Sequence, residues 1–135
     1  MNKQKIFSLP IRVYFQDTDA GGVVYHASYL NFMERARTEW LRTHGYSNAG
    51  LMKEFGLVFV VRSLTLDYLK PALLDDMLSV TAQIKDIGRS RISLVQTVQR
   101  SDEVLTEAEV HLVCVSLEGF KPVSVPEVLR NQWKD

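Results

Sequence analysis

An acidic loop with two glycines, leading into an amphipathic segment, is the part of this sequence best suited to chemistry. It spans residues 14–26 and contains Asp17 and Asp19, followed by Gly21 and Gly22. A carboxylate is ionised at neutral pH, so it can attack a carbonyl carbon or deprotonate a water without an activating partner. Unpaired backbone N–H groups at a helix start can stabilise the oxyanion that forms. The loop therefore predicts an enzyme, with the choice between nucleophile and general base left open.

The two carboxylates of this loop are predicted to differ in role. Asp19 precedes the glycines and can lie near a helix N-terminus, so it is the catalytic candidate; a turn or helix-capping aspartate is the competing interpretation. Asp17 is expected to order the loop by accepting backbone N–H bonds, because carboxylates this close repel unless they point apart. Gly21 and Gly22 allow the loop backbone to approach a substrate closely.

Histidine supplies a further candidate group. His26 could orient the substrate or a water, or protonate a leaving group; alternatively, only its backbone N–H matters. His44 and His111 are predicted to be structural, and the three histidines lack the spacing of zinc ligands. The Asp-x-Asp loop lacks the glutamate that closes a calcium loop, with Ser28 at that position. Neither a metal nor another cofactor is predicted.

Composition excludes several classes of protein. The 135 residues carry sixteen basic and sixteen acidic side chains, so no global field favours nucleic acid or an anionic membrane. The longest apolar run, residues 56–61, is too short to span a membrane, and the basic start Met1–Lys5 does not lead into a signal-peptide core. Cys114 is the single cysteine, which favours a reducing compartment and a cytoplasmic location. We expect one domain spanning residues 1–135.

The periodicity of apolar residues predicts an α+β fold. A strand over residues 6–15 precedes a long helix over Ser28–His44 and a short helical turn over Asn48–Phe55. Four strands follow, and a last helical turn ends the chain; their ranges are Leu57–Leu69, Met77–Ile87, Arg91–Arg100, Val104–Leu117 and Pro126–Trp133. The short breaks between the strands are expected to be antiparallel hairpins; they are Lys70-Pro71, Asp86-Ile87-Gly88 and Ser101-Asp102-Glu103. This order is most simply built as a curved antiparallel sheet around one helix.

The long helix is predicted to have an apolar stripe and a wet face. The wet face includes Glu34, Arg37 and Arg42, with Glu34 and Arg37 at pairing distance, and Gly45 can end the helix. Because one helix cannot cover such a sheet and its edge strands, we expect at least a dimer.

These residues resemble a known family over nearly the whole chain. The resemblance is carried by the order of elements and by two stretches, DTDAGGVVYH at residues 17–26 and YLNFMERAR at residues 29–37. They are similar to the hotdog-fold acyl-CoA thioesterases of the 4-hydroxybenzoyl-CoA thioesterase type, and within them to the bacterial Tol-Pal-associated, YbgC-type branch. The resemblance implies a hotdog homodimer or homotetramer, with active sites at the subunit interface. It implies acyl-CoA as the substrate, with acyl carrier protein thioesters as the second candidate.

Site residues follow from the resemblance by position. The family's catalytic carboxylate matches Asp19, and its oxyanion-binding backbone N–H falls at His26; Gly22 and Tyr25 are expected to contact substrate. A phenol that relatives often carry is absent here, since this position is Phe15.

A basic hairpin is the predicted contact for the phosphates of coenzyme A. In the family, the region that matches residues 88–91 meets these phosphates, which points to Arg89 and Arg91; a solvated turn is the equal alternative. Arg62 and Lys70 are weaker candidates.

Two other functions stay open at this point. A hotdog enoyl-thioester hydratase or dehydratase would need a shorter interval between the aspartate and the histidine than that from Asp19 to His26. A non-catalytic acyl or carrier-protein binding module would not need a carboxylate beside a polarised carbonyl.

Cys114 lies in an apolar run and is expected to be inert packing. The alternating apolar residues Phe59 and Val61, with Phe55 and Leu57, either line an acyl tunnel or belong to the core.

Overall fold

The computed structural model of the chain describes residues 6–134, so the basic start at residues 1–5 lies outside the described part. Its helices and strands are β1 (Phe7–Arg12), α1 (Ser28–Thr43), α2 (Asn48–Phe55), β2 (Leu57–Tyr68), β3 (Met77–Ile87), β4 (Arg91–Arg100), β5 (Glu103–Ser116) and α3 (Glu127–Trp133). The predicted α+β architecture is confirmed. No helix within residues 6–134 has the length and apolarity needed to cross a membrane.

The five strands form one antiparallel sheet in the order β1-β3-β4-β5-β2. Hairpins join β3 to β4 and β4 to β5, as predicted. The hairpin expected at Lys70-Pro71 was wrong: β2 pairs with β5, so residues 69–76 carry the chain across the sheet to β3. Pairing β2 with the last strand leaves it at one edge of the sheet.

The first strand is shorter than the predicted residues 6–15. Its last pair joins Arg12 to Met77, where β3 begins, so beyond it the chain has no partner strand. Residues 15–17 instead form a single 3-10 turn. Tyr14 and Phe15 are consequently 62% and 80% exposed.

The long helix buries the predicted apolar stripe against the sheet. Its buried residues are Tyr29, Phe32, Met33, Ala36, Trp40 and Leu41, and burial of a large apolar side chain contributes about 1.5–3 kcal/mol. The helix ends where Gly45 takes φ = 87°, a left-handed conformation that glycine adopts without strain. The helix packs mainly against β3, β1 and β4, and its buried residues share one core cluster with Leu105 and Val110 of β5.

Candidate active site

The acidic loop is held in place by backbone and carboxylate contacts of Asp17. Its Oδ2 accepts the N–H of Tyr14 at 2.9 Å, which secures the 3-10 turn. Its carbonyl oxygen accepts the N–H of Tyr25 at 2.9 Å and the hydroxyl of Ser28 at 3.3 Å. The prediction that Asp17 orders the loop through backbone N–H groups is confirmed. These bonds tie the two ends of the loop to the start of α1.

Asp19 sits at a tight turn within that loop. Its Oδ1 accepts the N–H of Gly21 at 2.9 Å, while its backbone N–H and carbonyl bond Val23 and Gly22 at 3.0 and 3.1 Å. Gly22 has φ = 81°, which explains glycine at this position. Oδ2 accepts no bond from residues 6–134, and the residue is exposed. One oxygen thus fixes the carboxylate, and the other is free to react.

His26 lies in the turn that enters the helix rather than in the helix itself. The helix begins at Ser28, as predicted, two residues after the position assigned to the oxyanion-binding N–H. The His26 N–H donates to no acceptor within the described residues, and its carbonyl accepts the Tyr68 hydroxyl at 2.9 Å. Ala27 caps the helix without a side-chain bond. Tyr68 therefore anchors the peptide unit that follows His26, while the N–H of the preceding unit keeps no acceptor within the described residues.

An aromatic cluster surrounds this turn. The His26 ring lies 4.4 Å from that of Tyr25 and 6.4 Å from that of Tyr68, whose ring is 5.3 Å from Tyr29. Burial raises the pKa of both Tyr29 and Tyr68, so both hydroxyls stay protonated near neutrality. A cleft of about 280 Å³ opens here and is lined by Val24, His26, Tyr29, Tyr68, Leu69, Lys70 and Pro71. Asp19 does not line this cleft within one chain.

An ion-pair network supports the wall of the cleft. Arg100 donates to Asp76 at 2.8 Å and to Glu103 at 2.9 Å, and Lys70 donates to Glu103 at 2.6 Å. Lys70 and then Arg100 lower the pKa of Glu103 by hydrogen bonding to it. The network joins the crossing segment to β4 and β5 and holds Lys70 at the cleft. Because surface ion pairs add little stability, the main effect of this network is to hold Lys70 in position at the cleft.

The basic hairpin is split between two faces of the molecule. Arg89 donates to the Ser124 hydroxyl at 2.7 Å, next to α3. Arg91 lies on the outer face of the sheet in a depression of about 480 Å³ that also contains Arg62, Ser93 and His111. His111 is paired, as predicted, with Nδ1 at 2.9 Å from the Ser93 hydroxyl. The two arginines assigned together from sequence thus face different surroundings.

The basic hairpin and the acidic loop lie at opposite ends of the sheet in one chain. Tyr68, which bonds His26, pairs with the first half of β5, whereas Arg91 aligns through Val113 with Val60. Tyr68 and Val60 are eight residues apart in β2, or about 26 Å of strand. One chain therefore does not bring Asp19 and His26 together with Arg91.

Arg37 was wrongly predicted to lie on the wet face of α1 beside Glu34. It is half-buried, and its guanidinium donates to Gln96 Oε1 at 2.9 Å. Gln96 is fully buried and donates through Nε2 to the carbonyls of Met33 and Thr81, both at 3.1 Å. The sequence does carry a signal for this pair, because Gln96 is a polar residue at an inward-facing position of β4 where the neighbouring inward-facing residues are apolar.

A cavity of about 310 Å³ adjoins Arg37 between α1 and the sheet. Its walls are mostly apolar, and they include Trp40, Leu41, Phe59, Val61, Leu94 and Trp133. Of the residues proposed from sequence for an acyl tunnel, Phe59 and Val61 reach this cavity, whereas Phe55 and Leu57 do not line it. Leu57 is buried in the core.

Cys114 and the acidic and histidine side chains show no metal-binding arrangement. Burial raises the pKa of the Cys114 thiol to about 11, consistent with inert packing. Within residues 6–134, no group of three or more histidine, cysteine or acidic residues is placed to hold a metal ion.

Comparison with known proteins identifies the family. The sequence model of the Thioesterase-like superfamily matches residues 13–133. The chain is 46% identical to acyl-CoA thioesterase YbgC of Haemophilus influenzae over 124 residues, covering 92% of this chain and 91% of the relative. It is 47% identical over 130 residues to acyl-CoA thioester hydrolase YbgC of Escherichia coli O6:H1, covering 96% of each.

Solved structures agree with this result. A crystal structure of a 1,4-dihydroxy-2-naphthoyl-CoA thioesterase from Synechocystis superposes with a TM-score of 0.88 at 24% identity, covering 97% of both chains, which confirms the hotdog fold. Because sequence and fold agree over almost every described residue, this chain belongs to the thioesterase-like superfamily.

Proposed function

We propose that this protein hydrolyses acyl-CoA thioesters to a free acid and the thiol of coenzyme A. The observation that carries the proposal is a pinned loop that offers a free carboxylate oxygen at Asp19 and an unpaired N–H at His26. Relatives of 46% and 47% identity carry the names acyl-CoA thioesterase and acyl-CoA thioester hydrolase. The loop supplies the two groups that such a reaction requires without a serine, cysteine or metal.

The chemistry follows from these two groups. Asp19 attacks the thioester carbon directly, or it removes a proton from a water that attacks. As the C=O electrons move onto oxygen, the His26 N–H donates to the oxyanion. Collapse of the intermediate breaks the C–S bond, and the thiolate takes a proton from solvent or from the His26 ring. In the direct route, water then hydrolyses the mixed anhydride and frees Asp19. Gly22 and Tyr25 lie where they can contact the substrate.

A second copy of the chain is needed to complete the site in this proposal. The outer edge of β2 has no partner strand within residues 6–134, and apolar side chains beside the acidic loop are exposed, among them Phe15 at 80% and Leu69 at 53%. Antiparallel pairing of two β2 edges about a two-fold axis places the start of one β2 against the end of the other. The partner's basic hairpin then approaches this chain's Asp19. We therefore propose a homodimer as the active unit. A homotetramer would consist of two such dimers.

The phosphates of coenzyme A are assigned to the arginines on the outer face of the sheet. Arg62 and Arg91 share one depression, and guanidinium forks suit phosphate oxygens. Arg89 is engaged with Ser124 and serves as a secondary contact.

The single cysteine and the resemblance to the YbgC-type branch support a cytoplasmic enzyme associated with the Tol-Pal envelope proteins. Acyl carrier protein is the second acyl carrier that we propose to assay.

Release of thiol from acyl-CoA tests the proposal directly. We expect wild-type protein to release coenzyme A from short-chain, long-chain or aromatic acyl-CoA, measured with a colorimetric thiol reagent. Asp19→Asn keeps the oxygen that accepts the Gly21 N–H but removes the charge, so turnover should fall by about 10²–10⁴-fold with unchanged folding. The buried Cys114 thiol will not consume the reagent.

Asp102→Asn provides the matched control, because it removes an exposed carboxylate in the turn between β4 and β5 and should leave turnover unchanged. Wild-type turnover in Asp19→Asn would contradict the catalytic assignment. The family match lends no support to a hydratase or a pure binding module. Loss of enoyl absorbance from a trans-enoyl-CoA without thiol release would favour the hydratase, and acyl-CoA binding with no release over hours would favour the binding module.

A further inference from the structure

The cavity beside Arg37 combines an apolar interior with two charged side chains, Arg37 and the exposed Glu34 at its rim. Its volume of about 310 Å³ lies at the lower end of small-molecule pockets, which span about 300–1,000 Å³. The two tryptophans of the chain, Trp40 and Trp133, both form part of the wall. Glu34, Thr38 and Asn48 add polar atoms, and Glu34 is exposed. The cavity is therefore shaped for an apolar group with one polar end.

The guanidinium of Arg37 is under-coordinated for its degree of burial. Of its five N–H donors, one bonds the neutral oxygen of Gln96. No ion pair formed within residues 6–134 involves Arg37. Removal from water lowers its pKa, and Glu34 only partly offsets this effect. A half-buried cation held by a neutral amide leaves an anion-binding group facing the cavity.

We propose that this cavity receives the far end of the acyl group and that Arg37 selects acyl groups ending in a carboxylate. The proposal rests on the proposed thioesterase function and adds the substrate class to it. A terminal carboxylate can bond the guanidinium fork in bidentate geometry, whereas a methyl end leaves the cation unpaired. Gln96 fixes the guanidinium from the opposite side, because its Nε2 is itself anchored to the carbonyls of Met33 and Thr81.

The position of Arg37 sets the spacing of the substrate. Arg37 is nine residues beyond Ser28, about 14 Å along the axis of α1 from the helix start. A carboxylate at Arg37 is thus separated from the reacting thioester by a run of methylenes, which the apolar walls accommodate. Dicarboxylic acyl groups of medium length meet both requirements.

Paired substrates of equal length test the selection. Adipyl-CoA and suberyl-CoA are compared with hexanoyl-CoA and octanoyl-CoA by thiol release. For wild-type protein we expect kcat/KM at least about 10-fold higher for the dicarboxylic member of one pair. Arg37→Met should lower that ratio at least about 10-fold, whereas Arg35→Met, an exposed cation two positions earlier on α1, should leave it unchanged.

A binding measurement independent of turnover accompanies the assay. Because both tryptophans line the cavity, their fluorescence should respond to adipate, with a Kd at least about 10-fold below that of hexanoate. Arg37→Met should abolish the difference; if that variant does not fold, the wild-type titration decides alone.

The possible failures are distinguishable. Hydrolysis of hexanoyl-CoA as fast as adipyl-CoA, with equal binding of the two acids, overturns the inference and leaves the thioesterase proposal standing. Absence of thiol release from every acyl-CoA overturns the thioesterase proposal, and selective adipate binding would then still establish the carboxylate site at Arg37.

Discussion

The two ends of α1 present opposite environments. At its start, Asp19 and His26 are exposed, and the loop is held by short-range backbone bonds. In its second half, Arg37 is half-buried and depends on Gln96, a fully buried residue from a strand 59 positions away. The first environment is local in sequence and open to solvent, whereas the second exists only because the sheet folds over the helix.

This difference separates reactivity from stability. The proposed reacting groups at the exposed end can be changed with little effect on the free energy of unfolding, because few buried contacts involve them. Polar groups at the covered end are desolvated, so loss of one partner leaves another unsatisfied. Activity should thus respond mainly to substitutions at the start of α1, and stability mainly to substitutions around its second half.

The largest effect on stability is expected from Gln96→Leu. It removes the bonds to the Met33 and Thr81 carbonyls and leaves the Arg37 guanidinium without its acceptor. We expect a loss of about 3 kcal/mol in the free energy of unfolding, lowering Tm by roughly 10 °C, measured by denaturant and thermal melts.

The double variant Gln96→Leu with Arg37→Met sharpens this test. Because removing both partners leaves no orphaned cation, it should regain part of the loss caused by Gln96→Leu alone. Gln99→Leu, which loses only an outer-face bond to Thr97, should cost less than about 1 kcal/mol. Additive effects of Gln96→Leu and Arg37→Met would show that the two residues are not energetically coupled.

A smaller loss is expected from Gly22→Ala at the exposed end. An added Cβ would meet no atom within 4 Å, so the cost comes only from φ = 81° and should be about 1–2 kcal/mol. Gly21→Ala is the comparison: its Cβ would approach Asp19 Oδ1 at 3.4 Å, without a positive φ. Gly22→Ala should therefore lower Tm more than Gly21→Ala, and equal melting temperatures would contradict the strain argument.

The features that the sequence predicts correctly are the local ones, and those that it misses depend on contacts between distant segments. Most helix and strand ranges, though not the end of β1, were predictable, as were the acidic loop and the role of Asp17, because periodicity and turn chemistry are local. The strand order and the half-buried Arg37 were not, since both depend on which strands meet. The hairpin expected at Lys70-Pro71 failed because two strands adjacent in sequence, β2 and β3, pair with other strands. The separation of Arg89 from Arg91 likewise needed the positions of α3 and the outer sheet face.

The smallest effect is expected from Tyr68→Phe, which removes the hydroxyl bonded to the His26 carbonyl at 2.9 Å. Because Tyr68 is 50% exposed, stability should change by less than about 1 kcal/mol. Turnover should fall by roughly 3–10-fold, since the backbone next to the proposed oxyanion-binding N–H of His26 is less firmly held. Melting curves and steady-state thiol release measure the two effects separately.

The difference in turnover between wild-type protein and Tyr68→Phe is expected to be independent of pH near neutrality. Burial raises the pKa of Tyr68 above its ordinary value of 10.0, so the hydroxyl keeps its proton until the pH rises through that higher value. The ratio of wild-type to Tyr68→Phe turnover should therefore stay constant between about pH 6 and pH 9. Tyr46→Phe, whose ring packs against Phe55, is the control and should leave turnover unchanged. A ratio of one across this range would mean that the Tyr68 hydroxyl does not position the His26 peptide for catalysis.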